Sequence, residues 1–285
     1  MPEAQVGGQA VIEGVLMRGP TAWGLAIRTP QGSIHREVWR APRGSHLAWR
    51  VPVLRGFLSL SDMLVMGFKA LSFSASVASP EEKFSKRELA AALLLAVTGV
   101  VLLFVLLPEM LAQLWAKLAG WGERLVEAIS RALSFVAYLA LIGLNREVRR
   151  MFEYHGAEHK VINAYELGVD YHDLSAVERQ SRIHRRCGTS FLLVAVLVSA
   201  LVFAPFQGLS FPWRALAKAV ALPLVAGLSY EVVKLQGKVP ILKLLVEPGL
   251  WLQRLTTREP SPEQVEVAIA ALDEALGASA QPEVV

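Results

Sequence analysis

LAAALLLAVTGVVLLFVLL, residues 89–107, runs without a single charge and stops at Pro108. A helix needs roughly 20 largely apolar residues to cross a hydrocarbon core about 30 Å thick. This stretch therefore predicts a membrane-spanning helix, and the composition of the whole chain points the same way. In 285 residues, 53% are hydrophobic and 19% charged, with a mean hydropathy of +0.40. That is too oily for an ordinary soluble domain.

Three further apolar blocks follow. Residues 126–144 form the second predicted span, with Glu127 and Arg131 near its outer end, where Arg131 is expected to snorkel to the interface. Residues 191–206 form the third, closing at Pro205 and Gly208. Residues 213–233 form the fourth and least lipid-like, carrying Lys218, Pro223, Tyr230 and Glu231. The short link 207–212 makes the last two an antiparallel hairpin. Lys and Arg number 11 before Leu89, three in 108–131, eight in 145–189, two in 207–218 and five after Val233. Because basic residues are retained on the cytoplasmic side, both termini and the central loop are expected inside. The first residues, Met1 to Val6, lack a basic patch followed by an apolar core, so no cleavable signal peptide is expected.

Before the first span, residues 10–16, 24–29 and 33–39 predict short strands punctuated by Gly19-Pro20 and Pro30-Gln31-Gly32. Residues 51–73 mix Leu54, Leu58, Met63 and Phe68 with Arg55, Asp62 and Lys69, which predicts an amphipathic helix at the membrane surface, with a fifth buried segment as the alternative. Residues 238–260 read as a Pro/Gly-punctuated connection. Ser261, Pro262 and Gln264 signal a last helix, whose apolar face is Val265, Ile269, Leu272 and Leu276, before a disordered tail from Gly277. The expected fold is a mainly α membrane protein: a four-helix transmembrane bundle with a small N-terminal β meander and a C-terminal amphipathic helix. Its segments are a β-rich region 1–50, a membrane-associated region 51–87, a four-span domain 88–233 with a histidine-rich loop 145–189, and a C-terminal region 234–285.

That loop holds His155, His159, His172 and His184, four of six histidines, and the only cysteine, Cys187. One cysteine excludes an internal disulfide and leaves a free thiol, a metal ligand or an intermolecular link. In His155-Gly156-Ala157-Glu158-His159 the order is His-x-x-Glu-His. On a helix the two histidines lie one turn apart and can hold one metal, zinc first among divalent ions, with Glu158 beside them as base for a metal-bound water. Inverzincin peptidases use that arrangement. The third ligand is open, with His184 and Cys187 ranked above Glu231. Glu166 lies about 10 Å from His159 along the axis, too far to share an ion. The competing reading is an interfacial loop in which His and Arg meet lipid phosphates, and Asp170, His172 and Asp173 read as solvated. Glu231 is either a functional group or the partner of Lys234. The glycines of residues 7–19 fit neither glycine fingerprint for phosphate and read as turn and packing positions. No RNA- or DNA-binding motif is present, so the expected contacts are the bilayer and, in the partner-protein reading, another membrane complex.

Five segments together resemble one family: Gly7-Gly8-Gln9-Ala10-Val11-Ile12-Glu13-Gly14-Val15-Leu16-Met17-Arg18, Tyr154 to Lys160, Arg186-Cys187-Gly188-Thr189-Ser190-Phe191, Ser229-Tyr230-Glu231, and Pro248 to Thr257. They look like the YqhQ-like domain-of-unknown-function family of bacterial membrane proteins, over about residues 7–276. The resemblance implies a multi-pass membrane protein described as a predicted metal-dependent enzyme, with His155, Glu158, His159 and Cys187 as the predicted metal residues. Two functions are carried forward: a cytoplasm-facing metal-dependent hydrolase acting on a membrane-associated substrate, and a non-catalytic partner of another membrane complex. Transport is weaker, with Glu231 the one carboxylate placed deep enough.

Overall fold

The computed structural model describes residues 6–40, 51–79, 85–119, 122–185, 187–235 and 239–280. Its N-terminal part is a four-stranded antiparallel meander of β1 (Gly7–Val11), β2 (Gly14–Arg18), β3 (Ala22–Arg28) and β4 (Ile34–Arg40), in that spatial order. The single strand expected over 10–16 is instead a hairpin. Val11 pairs with Gly14 around Ile12 and Glu13, and Glu13 takes φ 53. An apolar run broken only by Glu-Gly carries little of the Asn-Gly or Asp-Gly signal that marks such turns, so the reversal was hidden.

Both faces of the sheet are covered. Leu16, Trp23, Leu25 and Ile27 pack on α1 (Leu54–Ala78) through Met63, Met66, Ala70 and Phe73. Val15, Met17 and Ala26 pack on α5 (Arg146–Glu166) and α11 (Pro262–Ala280). The last helix thus docks on the meander, with Val265 and Leu272 fully buried. It continues through residues 277–280, where a disordered tail was expected; residues 281–285 of that tail lie outside the described residues.

The remaining helices are long and apolar. After α2 (Lys86–Val101), opened by a Ser85–Glu88 capping box, the chain does not stop at Pro108. A π-helical turn over Leu102–Leu106 leads straight into α3 (Leu107–Ala119). A proline withdraws the N–H that would bond the carbonyl four residues back, here Phe104, and that carbonyl accepts Arg131 Nε at 2.9 Å instead. α4 (Glu123–Ile142), α6 (Leu174–Glu178) and α7 (Gly188–Phe203) follow, the last extended by a 3₁₀ turn, Ala204–Gly208. The expected fourth span is two helices, α8 (Phe211–Val220) and α9 (Leu222–Leu235), bent by 45°. Residues expected as a loose connection form α10 (Pro240–Thr256), which begins on one proline and tolerates Pro248 inside. Four helices, Leu54–Ala78, Ala90–Ala119, Leu125–Ile142 and Gly188–Gly208, are long and apolar enough to cross a membrane, and the bent pair is a fifth candidate.

Arg131 does not reach an interface. It is 3% exposed, bound to Glu127, Phe104 O and Ser199 Oγ. Lys218, fully buried, bonds Glu109 and Glu127, and Arg214 reaches Glu109 at 2.6 Å. Charged groups within apolar helices are costly unless they find one another. This network ties α3, α4, α7 and α8 together, and it adds two buried carboxylates to the one considered from sequence.

Candidate metal centre

α5 starts at Asn145, whose side chain accepts the N–H groups of Glu147 and Val148. On this helix His155 and His159 fall one turn apart, and their rings meet edge to face with centroids 4.4 Å apart. Each ring is fixed from behind. His155 Nδ1 lies 2.8 Å from Thr256 O, and His159 Nδ1 lies 2.7 Å from Arg182 O. A carbonyl can only accept, so both Nδ1 atoms carry the proton and both Nε2 atoms present a lone pair. Such second contacts are what orient metal-binding histidines.

Cys187 supplies a third donor. Its Sγ lies 3.2 Å from His155 Nε2, and it caps α7 by accepting Thr189 N–H. Donor atoms of His155, His159 and Cys187 all lie within 4.8 Å of one another. Two ligands of one tetrahedral zinc, at bond lengths of about 2.0 and 2.3 Å, stand about 3.5 Å apart, so the 3.2 Å pair fits one ion. Two imidazoles and a thiolate are a borderline-soft set that suits zinc, and three protein ligands leave a fourth position open. Burial, with His155 nearby, holds His159 well below the usual imidazole range, which keeps its lone pair free at neutral pH. Burial also raises the Cys187 thiol, opposed by its bonds to Thr189. The residues present fit a divalent metal.

Glu158 is buried behind this trio, and its Oε2 has no hydrogen-bond partner among the described residues. Burial pushes its carboxyl up to about 8, against the pull of His155. Room for it comes from Gly8 on β1, where a Cβ would lie 3.1 Å from Glu158 Cδ. The neighbouring cations are engaged elsewhere: Arg150 forks onto Glu13, and Lys160 bonds Glu259 and Glu178 O. Gly156, between the two histidines, touches the Arg258 carbonyl so closely that any side chain would collide with it.

His184 stands next to the trio, its ring centroid 5.7 Å from that of His159, but Nε2 points at Glu166 Oε2, 3.2 Å away. Burial lowers it to about 4. Its main chain is gripped by Gln253, which accepts His184 N–H and donates to His184 O and Ser190 Oγ. Glu231 is remote from this centre: it forks onto Arg55 at 2.7 and 2.5 Å and accepts Val53 N–H, joining α9 to α1 rather than pairing with Lys234. Asp173 caps α6, and His172 bonds Asp273 at 3.0 Å, so both serve local structure.

Four of the five sequence segments singled out above meet at this centre. Gly8 and Glu13 come from the first, the histidines and Glu158 from the second, Cys187 and Ser190 from the third, and Gln253, Thr256 and Thr257 from the fifth. Only Ser229-Tyr230-Glu231 lies apart. Gln253 and Thr256 had no role assigned from sequence, although their segment was recognised. Arg182 acts through a backbone carbonyl, which no side-chain pattern advertises.

The family described as "Protein of unknown function (DUF1385)" matches residues 51–278. The chain is 36% identical over 294 aligned positions to "Uncharacterized protein YqhQ" of Bacillus subtilis (strain 168), covering 95% of this chain and 92% of that protein. No solved structure matches it. With most of its length inside the family match and nearly all of it aligned to that relative, the chain belongs to the DUF1385 family.

Proposed function

We propose that this chain is a multi-pass protein of the bacterial cytoplasmic membrane whose cytoplasm-facing centre holds a divalent metal, zinc, on His155, His159 and Cys187, for hydrolysis of a membrane-associated substrate. One observation carries the proposal: a buried carboxyl oxygen of Glu158 without a partner among the described residues, beside three convergent donors whose histidine tautomers are already set. A buried carboxyl oxygen without a partner costs stability and needs a reason to persist. In the partner-protein reading Glu158 should pair with Arg149, Arg150 or Lys160; Arg149 is exposed, Arg150 and Lys160 are spoken for, and the Glu158 oxygen is buried.

Zinc, when bound, would supply a Lewis acid. Glu158 would take up and return a proton, in the space that Gly8 leaves for it, while the Thr256 and Arg182 carbonyls hold the rings still. The membrane placement is supported by the apolar helices and by exposed tryptophans at their two ends, Trp115 and Trp213 at one and Trp251 at the other. α1 is the exception among the span candidates. Its Met63 to Phe73 part lies under the sheet, and an open sheet edge does not belong in lipid.

The test is the metal content of the full chain purified in detergent and dialysed against a weak chelator, wild type beside His155→Ala/His159→Ala. Near-stoichiometric zinc lost in the double variant supports the centre, and no metal in either sinks it. A Glu158→Gln chain that keeps its metal and fully restores a deletion strain would reject the hydrolytic role while leaving the metal in place.

A further inference from the structure

A cleft of about 350 Å³ opens where α4 ends and α10 ends. One wall is apolar and comes from the last turn of a candidate span and from α10: Leu139, Gly143, Leu144 and Leu255. The other wall carries Arg182, Arg254 and Arg258 against a single acid, Glu259. That acid is already shared with Lys160, at 2.5 Å, while Arg182 stands 3.9 Å from it. Arg182 is further occupied by the Thr257 carbonyl. Among the described residues Arg254 and Arg258 have no carboxylate partner: Arg254 lies over the exposed Trp251 ring at 5.3 Å, and Arg258 Nε is buried with no hydrogen-bond partner. The cleft is of ligand size. It joins an oily wall at a span terminus to cationic forks beside an interfacial tryptophan, and planar guanidinium groups favour phosphate oxygens.

We infer that this cleft binds the phosphate headgroup of an anionic phospholipid from the cytoplasmic leaflet, its acyl chains leaving along Leu139 and Leu144. The inference rests on the membrane placement proposed above and not on the metal. The cleft shares Arg182 with the shell behind the histidines, yet none of the three donor residues lines it. It is therefore a site beside the metal centre and distinct from it.

The experiment is native mass spectrometry of the full chain released from nanodiscs of equal parts phosphatidylglycerol and phosphatidylcholine. Wild type should retain phosphatidylglycerol over phosphatidylcholine by about thirtyfold, the size expected of two arginines near a headgroup at about 1 kcal/mol each. Arg254→Gln/Arg258→Gln should fall to about twofold or less. Arg146→Gln/Arg149→Gln, which removes the same formal charge from exposed residues outside the cleft, should keep the preference. Equal retention of the two lipids by wild type, or an equal loss in both double variants, overturns the site. Inorganic phosphate that strips the retained lipid at millimolar concentration would show that the free anion is the true occupant and would overturn the lipid assignment. Wild type recovered in the soluble fraction of carbonate-washed cells would instead reject the membrane placement itself. Each variant is scored on the monodisperse fraction from size exclusion, so a folding defect is not counted as lost binding.

Discussion

Replacing Lys218 by methionine keeps the volume and apolar stem of the side chain and removes only its charge. Lys218 is fully buried, with Nζ between Glu109 and Glu127, at 2.8 Å from Oε1 of the latter. Breaking a buried ion pair on one side costs about 3–5 kcal/mol, because the remaining charge is left without compensation. Here each carboxylate keeps an arginine, Arg131 on Glu127 and Arg214 on Glu109, so the expected loss is at the low end, about 3 kcal/mol. Glu127→Leu should cost more, about 4–5 kcal/mol, since it deprives Arg131, Lys218 and Gln207 Nε2 of one shared acceptor. The double variant should cost less than the two singles added, by about 1–3 kcal/mol. Reversible unfolding in mixed micelles, followed by tryptophan fluorescence, reads all three. Additivity within about 0.5 kcal/mol, or a Lys218→Met chain as stable as wild type, would refute the argument that these charges hold the apolar helices together.

Gly156→Ala should destabilise by about 2–4 kcal/mol, because the Arg258 carbonyl it meets is backbone and cannot swing aside; thermal unfolding measures it, and an unchanged midpoint contradicts the packing of α5. Cys187→Ala should release metal at far lower chelator concentration than wild type, whereas Cys187→His should hold part of it; equal retention in Cys187→Ala would remove the thiolate from the centre. For His184, a folded pKa near 4 against about 6.5 unfolded means that the unfolded chain binds the extra proton between those values. Stability of the metal-free protein should therefore fall by about 3 kcal/mol as pH drops from 6.5 to 4, and His184→Gln should flatten that slope.

The apolar segments were legible because a lipid-length run of uncharged residues has few other uses, and the His-x-x-Glu-His order was legible because helical spacing alone puts its histidines on one face. Less visible was anything decided by contact across long sequence distances. Arg131 reads as an interfacial residue when only its neighbours in sequence are considered; its burial depends on Ser199 and on a carbonyl freed by Pro108. Cys187 and His184 looked equally eligible as third ligand in the loop. Gln253 grips the His184 backbone and Glu166 takes its ring, whereas Cys187 Sγ lies 3.2 Å from His155 Nε2. The hairpin at Glu13 escaped because its turn uses a residue type seldom found at positive φ.

The sheet is closed on one face by α11, whose Glu263 carbonyl accepts Arg28 across 235 residues of chain, and Thr256 reaches His155 across 101. A ribosome adding about 5–20 residues per second leaves the meander waiting roughly 10–50 seconds for its cover. For all that time Val15, Met17 and Ala26 have α5 at most for shelter, and the histidines lack the carbonyls that set their tautomers. The centre is thus the last part of the protein to be finished, after every long apolar helix has been made. A chain broken off before α11 would carry both histidines and the cysteine, yet would expose an open sheet to whatever protease is nearby.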